Sequence, residues 1–198
     1  MHMRTRSLMD SVIVLDTETG GLNPYTDALL TVGLSGPFDM FMEWRVLDCG
    51  RCSPEAMQVN KIDLREHRQR ALPPKQVLKE IEEFIRRVKN MTVSESAPEG
   101  EKLYIAGHNV HFDLAFLRRL VNLTHPENPD LPRWLGGRTI DTHTLLWAEY
   151  AKGKIAASAT SSEGAFKHFG IEVEESERHT ALGDAKATRR LLEALLNN

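Results

Sequence analysis

Apolar residues in this chain fall into short unbroken runs and longer stretches in which they recur every three to four positions. Ser11 to Asp16 reads Ser-Val-Ile-Val-Leu-Asp, a β-branched run that predicts a strand buried on both faces at the centre of a sheet. Gly20, Gly21, Asn23 and Pro24 then break the chain. Ala28 to Leu34 and Phe38 to Val46 read as two more strands about the turn Ser35-Gly36-Pro37, so the opening segment predicts an antiparallel meander. Ser53-Pro54-Glu55 is a helix start, with a capping hydroxyl, a proline at the first helical position and an acid in the first turn. Pro73-Pro74 opens a longer helix, in which Val77, Ile81, Phe84, Ile85 and Val88 keep helical spacing while Lys79, Glu82, Glu83, Arg86 and Arg87 occupy the polar face.

A polar loop is expected from Lys89 to Lys102. Leu103 to Ala106 then predicts a strand, and Phe112 to Leu123 a helix with Leu114, Leu117 and Val121 inward. Pro126, Pro129 and Pro132 mark a loop, Thr139-Ile140-Asp141 a last strand, and Thr142 to Tyr150 a helix. Ala151 to Ser162 is expected to be a mobile connector. Glu163 to Phe169 reads as a short helix stopped by Gly170, and Ala181 to Leu196 as the terminal helix. This order predicts an α/β domain whose mixed sheet of about five strands, a meander followed by parallel strands, is flanked by helices.

Composition narrows the picture. With 198 residues, 41% hydrophobic and 27% charged, the chain is sized for one self-folding domain. Residues 1–10 are expected to be a flexible leader, with Met9 an alternative start, and 11–198 a single domain. A formal net charge of −3 argues against a protein that coats long stretches of nucleic acid, so any such contact is local or metal-mediated. The chain has no apolar run of membrane-spanning length and no signal-peptide pattern at its start, which reads as cytoplasmic with no membrane partner. Cys49 and Cys52 form a lone C-x-x-C, read as reduced thiols near a strand end rather than half of a zinc site.

Three short motifs carry candidate chemistry. Asp16 and Glu18 stand two apart at the end of the central strand, so a period of two aims both carboxylates to one side, where a divalent cation would relieve their repulsion. Asn109-Val110-His111-Phe112-Asp113 puts an acid in the first turn of a helix. His179-Thr180-Ala181-Leu182-Gly183-Asp184 leads into the terminal helix, with His179 in the preceding loop and a residue type suited to accepting a proton from water. Each has an ordinary alternative: solvated acids at a strand end, a helix-dipole partner, a surface histidine. His108 and His111 form only a weak zinc pattern.

Together, and in this order, Asp16-x-Glu18, Asn109-x-x-Phe112-Asp113 and His179-x-Ala181-x-x-Asp184 resemble the DEDDh branch of the DnaQ-like 3′ to 5′ exonucleases, over roughly residues 11 to 196. The resemblance implies a ribonuclease H-like fold and hydrolysis of phosphodiesters from a 3′ end by two divalent ions, Mg²⁺ or Mn²⁺, with release of nucleoside 5′-monophosphates. It implies that Asp16 bridges both ions, Glu18 and Asp184 complete the site of the attacking water, Asp113 supports the second ion, and His179 takes the proton. Thr19, Leu22, Asn109 and Phe112 match positions that seat the terminal nucleotide. Leu22 and Phe112 suit core packing equally well. Asp141 matches a frequent family aspartate, although capping the following helix accounts for it.

This chain has Gly20-Gly21 where many relatives have Thr-Gly. Thr26-Asp27-Ala28-Leu29-Leu30 is similar to the ribonuclease T branch, which carries an aromatic residue where Leu22 stands. Arg65, Arg68 and Arg70, or Lys152, Lys154 and Lys167, are candidate phosphate contacts, with ordinary charged surface as the default. The implied partner is a single-stranded 3′ end of DNA or RNA, and a homodimer or a polymerase partner is left open. Rival readings are a metal-dependent hydrolase of small nucleotides and a binding module that kept the fold but lost catalysis.

Overall fold

The computed structural model describes residues 7–92, 103–127 and 138–197. Its sheet has the order β3-β2-β1-β4-β5 and is made of β1 (Val12–Thr19), β2 (Leu29–Ser35), β3 (Phe41–Arg45), β4 (Tyr104–Gly107) and β5 (Thr139–Asp141). The first three pair antiparallel, as the meander predicts, and β4 and β5 add in parallel beside β1. The five-stranded mixed sheet is therefore the one expected.

Seven α-helices accompany it among the described residues: α1 (Pro54–Asn60), α2 (Leu64–Arg70), α3 (Pro74–Thr92), α4 (Val110–Thr124), α5 (Thr142–Ala151), α6 (Ser162–His168) and α7 (Ala181–Leu196). Ser53 caps α1 by accepting from the Ala56 N–H at 3.1 Å, and Gly170, at φ 65°, follows α6 where a left-handed residue ends a helix. The helices sort to the two faces. Val77, Ile81, Phe84 and Val88 of α3 and Leu117 and Leu120 of α4 pack with Ile13 and Leu15 on one side. Ala185 and Leu192 of α7 pack with Val12 and Val14 on the other.

Several boundaries depart from the sequence reading. β1 runs on to Thr19, so Asp16 and Glu18 lie inside the strand, where continued pairing with β2 holds them. Ser7 caps a 3-10 turn over Leu8–Ser11 that buries Met9, so residues 7–10 are part of the folded body rather than a flexible leader. Residues 89–92 continue α3, with Thr92 bonded back to the Val88 carbonyl at 3.0 Å; the rest of the expected polar loop, 93–102, lies outside the described residues. The expected connector over 151–162 is structured too: a 3-10 turn (Ala157–Thr160) buries Ala159 beside Ile155, Leu146 and Phe166. The helix α2, which falls between the two helices expected there, starts at an Asp63 cap.

Candidate active site

The pleat of β1 sorts its side chains by parity. Val12 and Val14 face α7 while Ile13 and Leu15 face α3 and α4, so continued alternation puts Asp16 and Glu18 on the α7 side and Thr17 on the α4 side. Helix α7 delivers Asp184, and one carboxylate oxygen from each of Asp16, Glu18 and Asp184 lies within 4.8 Å of the others. From the opposite face, Thr17 Oγ1 donates at 2.7 Å to Asp113 Oδ1, and this holds the fourth acid, 4% exposed, beside the cluster.

A glycine makes the approach of α7 possible. Gly33 is the β2 partner of Asp16, and a Cβ there would lie 2.3 Å from the carbonyl carbon and oxygen of Ala181. Bare backbone lets the first turn of α7 rest on the sheet. Thr180 Oγ1 then accepts from the Gly183 N–H at 3.1 Å, and Glu43 of β3 accepts from the Leu182 N–H at 3.0 Å. Two of the turn's otherwise unpaired donors are thereby satisfied. His179 precedes the cap in the left-handed region, φ 57°, as expected of a loop residue. It shares a cavity of about 210 Å³ with Glu18, Thr31 and Glu43.

A second cavity of about 520 Å³ opens beside Glu18, lined in part by Thr19, Gly21, Leu22, Val59 and Phe112. Leu22 is 84% exposed at its rim, which removes the core-packing reading for that residue. Phe112 is half-buried, and its ring lies 5.1 Å from that of Phe116, so it packs on the core and faces the cavity. Asn60 Nδ2 donates to the Thr19 carbonyl at 3.1 Å, which ties α1 to the end of β1.

The electrostatics follow from four acids converging with little water. Burial, then Asp113, Glu18 and Asp184, push Asp16 well above the carboxylate range. Burial, then Asp184 and Asp113, raise Glu18 to about 8. Burial raises Asp113 to about 7 against the opposing hydrogen bond from Thr17. Burial also raises Asp184, while Arg178 and His179 pull it down; Arg178 Nη1 donates to Asp184 Oδ1 at 2.5 Å. Acids so disposed gain by binding a cation. Their all-oxygen donor set fits hard divalent ions.

The remaining candidates distribute differently. Asn109, at φ 59°, is exposed; its side chain makes no capping bond, and its backbone N–H donates to Asp141 Oδ1 at 2.8 Å. Asp141 caps α5, accepting from the His143 N–H at 3.1 Å and the Thr144 hydroxyl at 2.9 Å, in keeping with its capping reading. His108 turns to Thr142 and His143 while His111 is exposed, so the two do not converge on a metal site. Arg65, Arg68 and Arg70 are exposed on α2, with Arg70 paired to Glu66; Lys152 and Lys154 both pair with Glu149, and Lys167 is exposed. Cys49 and Cys52 are free thiols. Thr17, Gly33, Glu43 and Arg178 were not anticipated. Strand parity signals Thr17 and an interior strand glycine signals Gly33, whereas no local pattern marks Glu43 or Arg178.

No family model matches the chain. It is 26% identical to ribonuclease T of Shewanella denitrificans over 93% of this chain and 80% of the relative. To ribonuclease T of Vibrio vulnificus it is 29% identical over 93% and 83%. Among solved structures, E. coli exonuclease I bound to a dT13 oligonucleotide superposes with TM-score 0.70 at 19% identity, covering 94% of this chain and 41% of that one. Exonuclease I of Methylocaldum szegediense gives TM-score 0.64 at 19% identity over 94% and 40%. The chain thus spans about two fifths of exonuclease I, and that likeness speaks for the ribonuclease H-like fold. The ribonuclease T relatives match over nearly the full chain, and the acids of three distant segments meet in one cleft. In sequence and in the placing of these acids the chain is thus similar to ribonuclease T, a DnaQ-like exonuclease.

Proposed function

We propose that this chain is a nuclease that hydrolyses the 3′-terminal phosphodiester bond of single-stranded nucleic acid and releases nucleoside 5′-monophosphates one at a time. The observation that carries the reading is the convergence of Asp16 and Asp184, with Asp113 beside them, on Glu18, which lines a cavity of about 520 Å³. That volume lies within the ~300 to 1,000 Å³ of small-ligand pockets, room for one nucleotide. Exonuclease I has been solved with single-stranded oligonucleotides, dT13 and dA16, which supports a single-strand substrate here.

Asp16, Glu18, Asp113 and Asp184 would hold two divalent ions, Mg²⁺ or Mn²⁺. Bound there, such ions supply positive charge at the entering and leaving oxygens and make water a stronger acid. The chain's own residues do the rest. Thr17 holds Asp113 in place, and the Gly33 contact holds Asp184. His179 borders the same cavity as Glu18, where its imidazole takes the proton of the attacking water. The water oxygen bonds to phosphorus as the bond to the 3′ oxygen breaks; the phosphate leaves with the terminal nucleoside, and the freed 3′ oxygen of the shortened strand takes a proton from solvent to become a new 3′ hydroxyl. Leu22 and Phe112 offer apolar surface to the terminal base and Thr19 lines the same cavity, while the exposed Asn109 would reach the nucleotide from the start of α4.

The test is purified protein with Mg²⁺ or Mn²⁺ and end-labelled single-stranded DNA, single-stranded RNA and duplex of equal length, resolved on a sequencing gel. A ladder shortening from the 3′ end, with mononucleotide product, is expected. Internal cutting of a closed single-stranded circle would overturn the reading.

A further inference from the structure

Arg178 stands out because it is a cation placed where the chain otherwise gathers acids. Its Nη1 donates to Asp184 Oδ1 at 2.5 Å, and both side chains are only 18% exposed. The guanidinium is held from its other side by the Phe166 ring, 5.3 Å from the centroid, and Phe166 is buried in the cluster beneath α5 and α6. Desolvation strengthens both contacts. Lys186, on the same helix as Asp184, is directed elsewhere, to Glu177 at 3.7 Å and over the Phe41 ring at 4.1 Å. Arg178 also acts on Asp16 and Glu18, the cation whose charge favours their ionised forms.

We propose that Arg178 is a resident counter-ion of the carboxylate cluster, competing with a divalent ion for Asp184 and giving that carboxylate up when the ion binds. The reasoning is electrostatic. An ion on Asp184 would share one carboxylate with a guanidinium already in contact with it, and two cations on one acid repel at a site where water screens them little. The planar, always-charged guanidinium cannot relieve the conflict by losing a proton, so it must move. The contact lowers metal affinity while it steadies the four acids. Activity then responds to the free ion concentration over a range that Arg178 sets, rather than saturating at trace levels. This inference rests on the metal-binding reading above.

The experiment is calorimetric titration with Mn²⁺ of the wild type, Arg178→Gln and Arg178→Lys, with melting temperature recorded with and without the ion. Arg178→Gln is expected to bind Mn²⁺ about tenfold more tightly, equivalent to 1.4 kcal/mol, and to melt lower than wild type only without the ion. Arg178→Lys keeps the charge without the planar fork and should tighten binding by a smaller factor. Should Arg178→Gln not fold, the wild type still decides: the Nη–H signals of Arg178, the group that donates to Asp184, assigned by their absence in Arg178→Lys, should shift and exchange faster on Mg²⁺ saturation. Unchanged or weaker Mn²⁺ binding by the variants, or Arg178 Nη–H signals indifferent to Mg²⁺, overturns the competition while leaving the metal site standing. No Mn²⁺ binding by the wild type overturns both.

Discussion

Asp48 and Glu18 are both carboxylates withdrawn from water, and the chain treats them in opposite ways. Asp48 meets Arg119 in a two-pronged pair, at 2.5 Å from Nε and 2.8 Å from Nη2, and accepts from the Leu29 and Gly50 N–H groups. Burial opposes its charge, yet these partners outweigh burial and hold it below the usual carboxylate range. Arg119 also donates to the Pro24 and Tyr25 carbonyls, so the pair staples the loop bearing Leu22 to α4. Glu18 faces Asp16, Asp113 and Asp184 instead, and is pushed to about 8. One acid is satisfied inside the protein and builds structure; the other is left unsatisfied, which stores affinity for an added cation.

The largest effects should come from the unsatisfied side. Asp16→Asn is expected to lower turnover by several orders of magnitude, measured in single-turnover cleavage of a labelled strand, yet to melt no lower than wild type without metal, because it removes repulsion. A metal-free melting temperature well below wild type would show that Asp16 serves the fold. His179→Ala should spare Mn²⁺ binding and slow cleavage roughly 10²- to 10⁴-fold, the usual worth of a positioned base. A wild-type rate at neutral pH would return His179 to the role of a surface residue.

The satisfied side should show the reverse pattern. Arg119→Met strands Asp48 in a site where the paired side chains are 13% and 1% exposed, and breaking a buried pair costs about 3 to 5 kcal/mol. For a domain of this size that is roughly 6 to 20 °C in melting temperature, read by scanning calorimetry, with the chemistry at Asp16 intact in the folded fraction. Mn²⁺ at a hundred times its Kd should stabilise the wild type by about 2.7 kcal/mol, roughly 5 to 10 °C. Asp16→Asn should lose most of that rise. An equal rise in the variant would mean that the four acids do not act as one site.

The smallest effect is the pH dependence of the metal-free protein. Glu18 and Asp113 titrate near 8 and 7 in the folded state against ordinary values of 4.5 and 3.8, so between these limits the folded chain holds protons that the unfolded chain has released. Stability therefore stands fully below pH 4 and declines as pH rises through about 7 to 8. Saturating Mn²⁺ should abolish the decline, since ions displace those protons. A melting temperature that instead climbs from pH 5 to 8 without metal would contradict the crowding of the acids.

Much of this was legible in the order of residues. Local rules place strands where apolar runs are β-branched, start α1 at Ser53-Pro54 and α7 after Thr180, and put Asp16 and Glu18 on one face through the two-residue period of a strand. Three motifs in order were enough to suggest that Asp113 and Asp184 join them, because motif spacing carries the memory of a fold even when no single dipeptide does. Where the reading failed, at the 3-10 turns over Leu8–Ser11 and Ala157–Thr160, the cause was burial by distant partners, which weakly helical sequence does not announce.

Tertiary structure alone decided the rest. That Gly33 sits opposite Asp16 and admits Ala181 of α7 depends on a strand register and a helix packing that meet across almost 150 residues of chain. Glu43 reaches the Leu182 N–H, Thr17 reaches Asp113 and Arg178 reaches both Asp184 and the Phe166 ring for the same reason. The sequence by itself determined which residues could carry charge and on which face of an element each would stand, since those follow from dihedral periodicity. Which acids are paired and which are left facing one another depends on distances between elements, and the balance of burial against Coulomb energy that sets the chemistry of the site exists only once the sheet and its helices have packed.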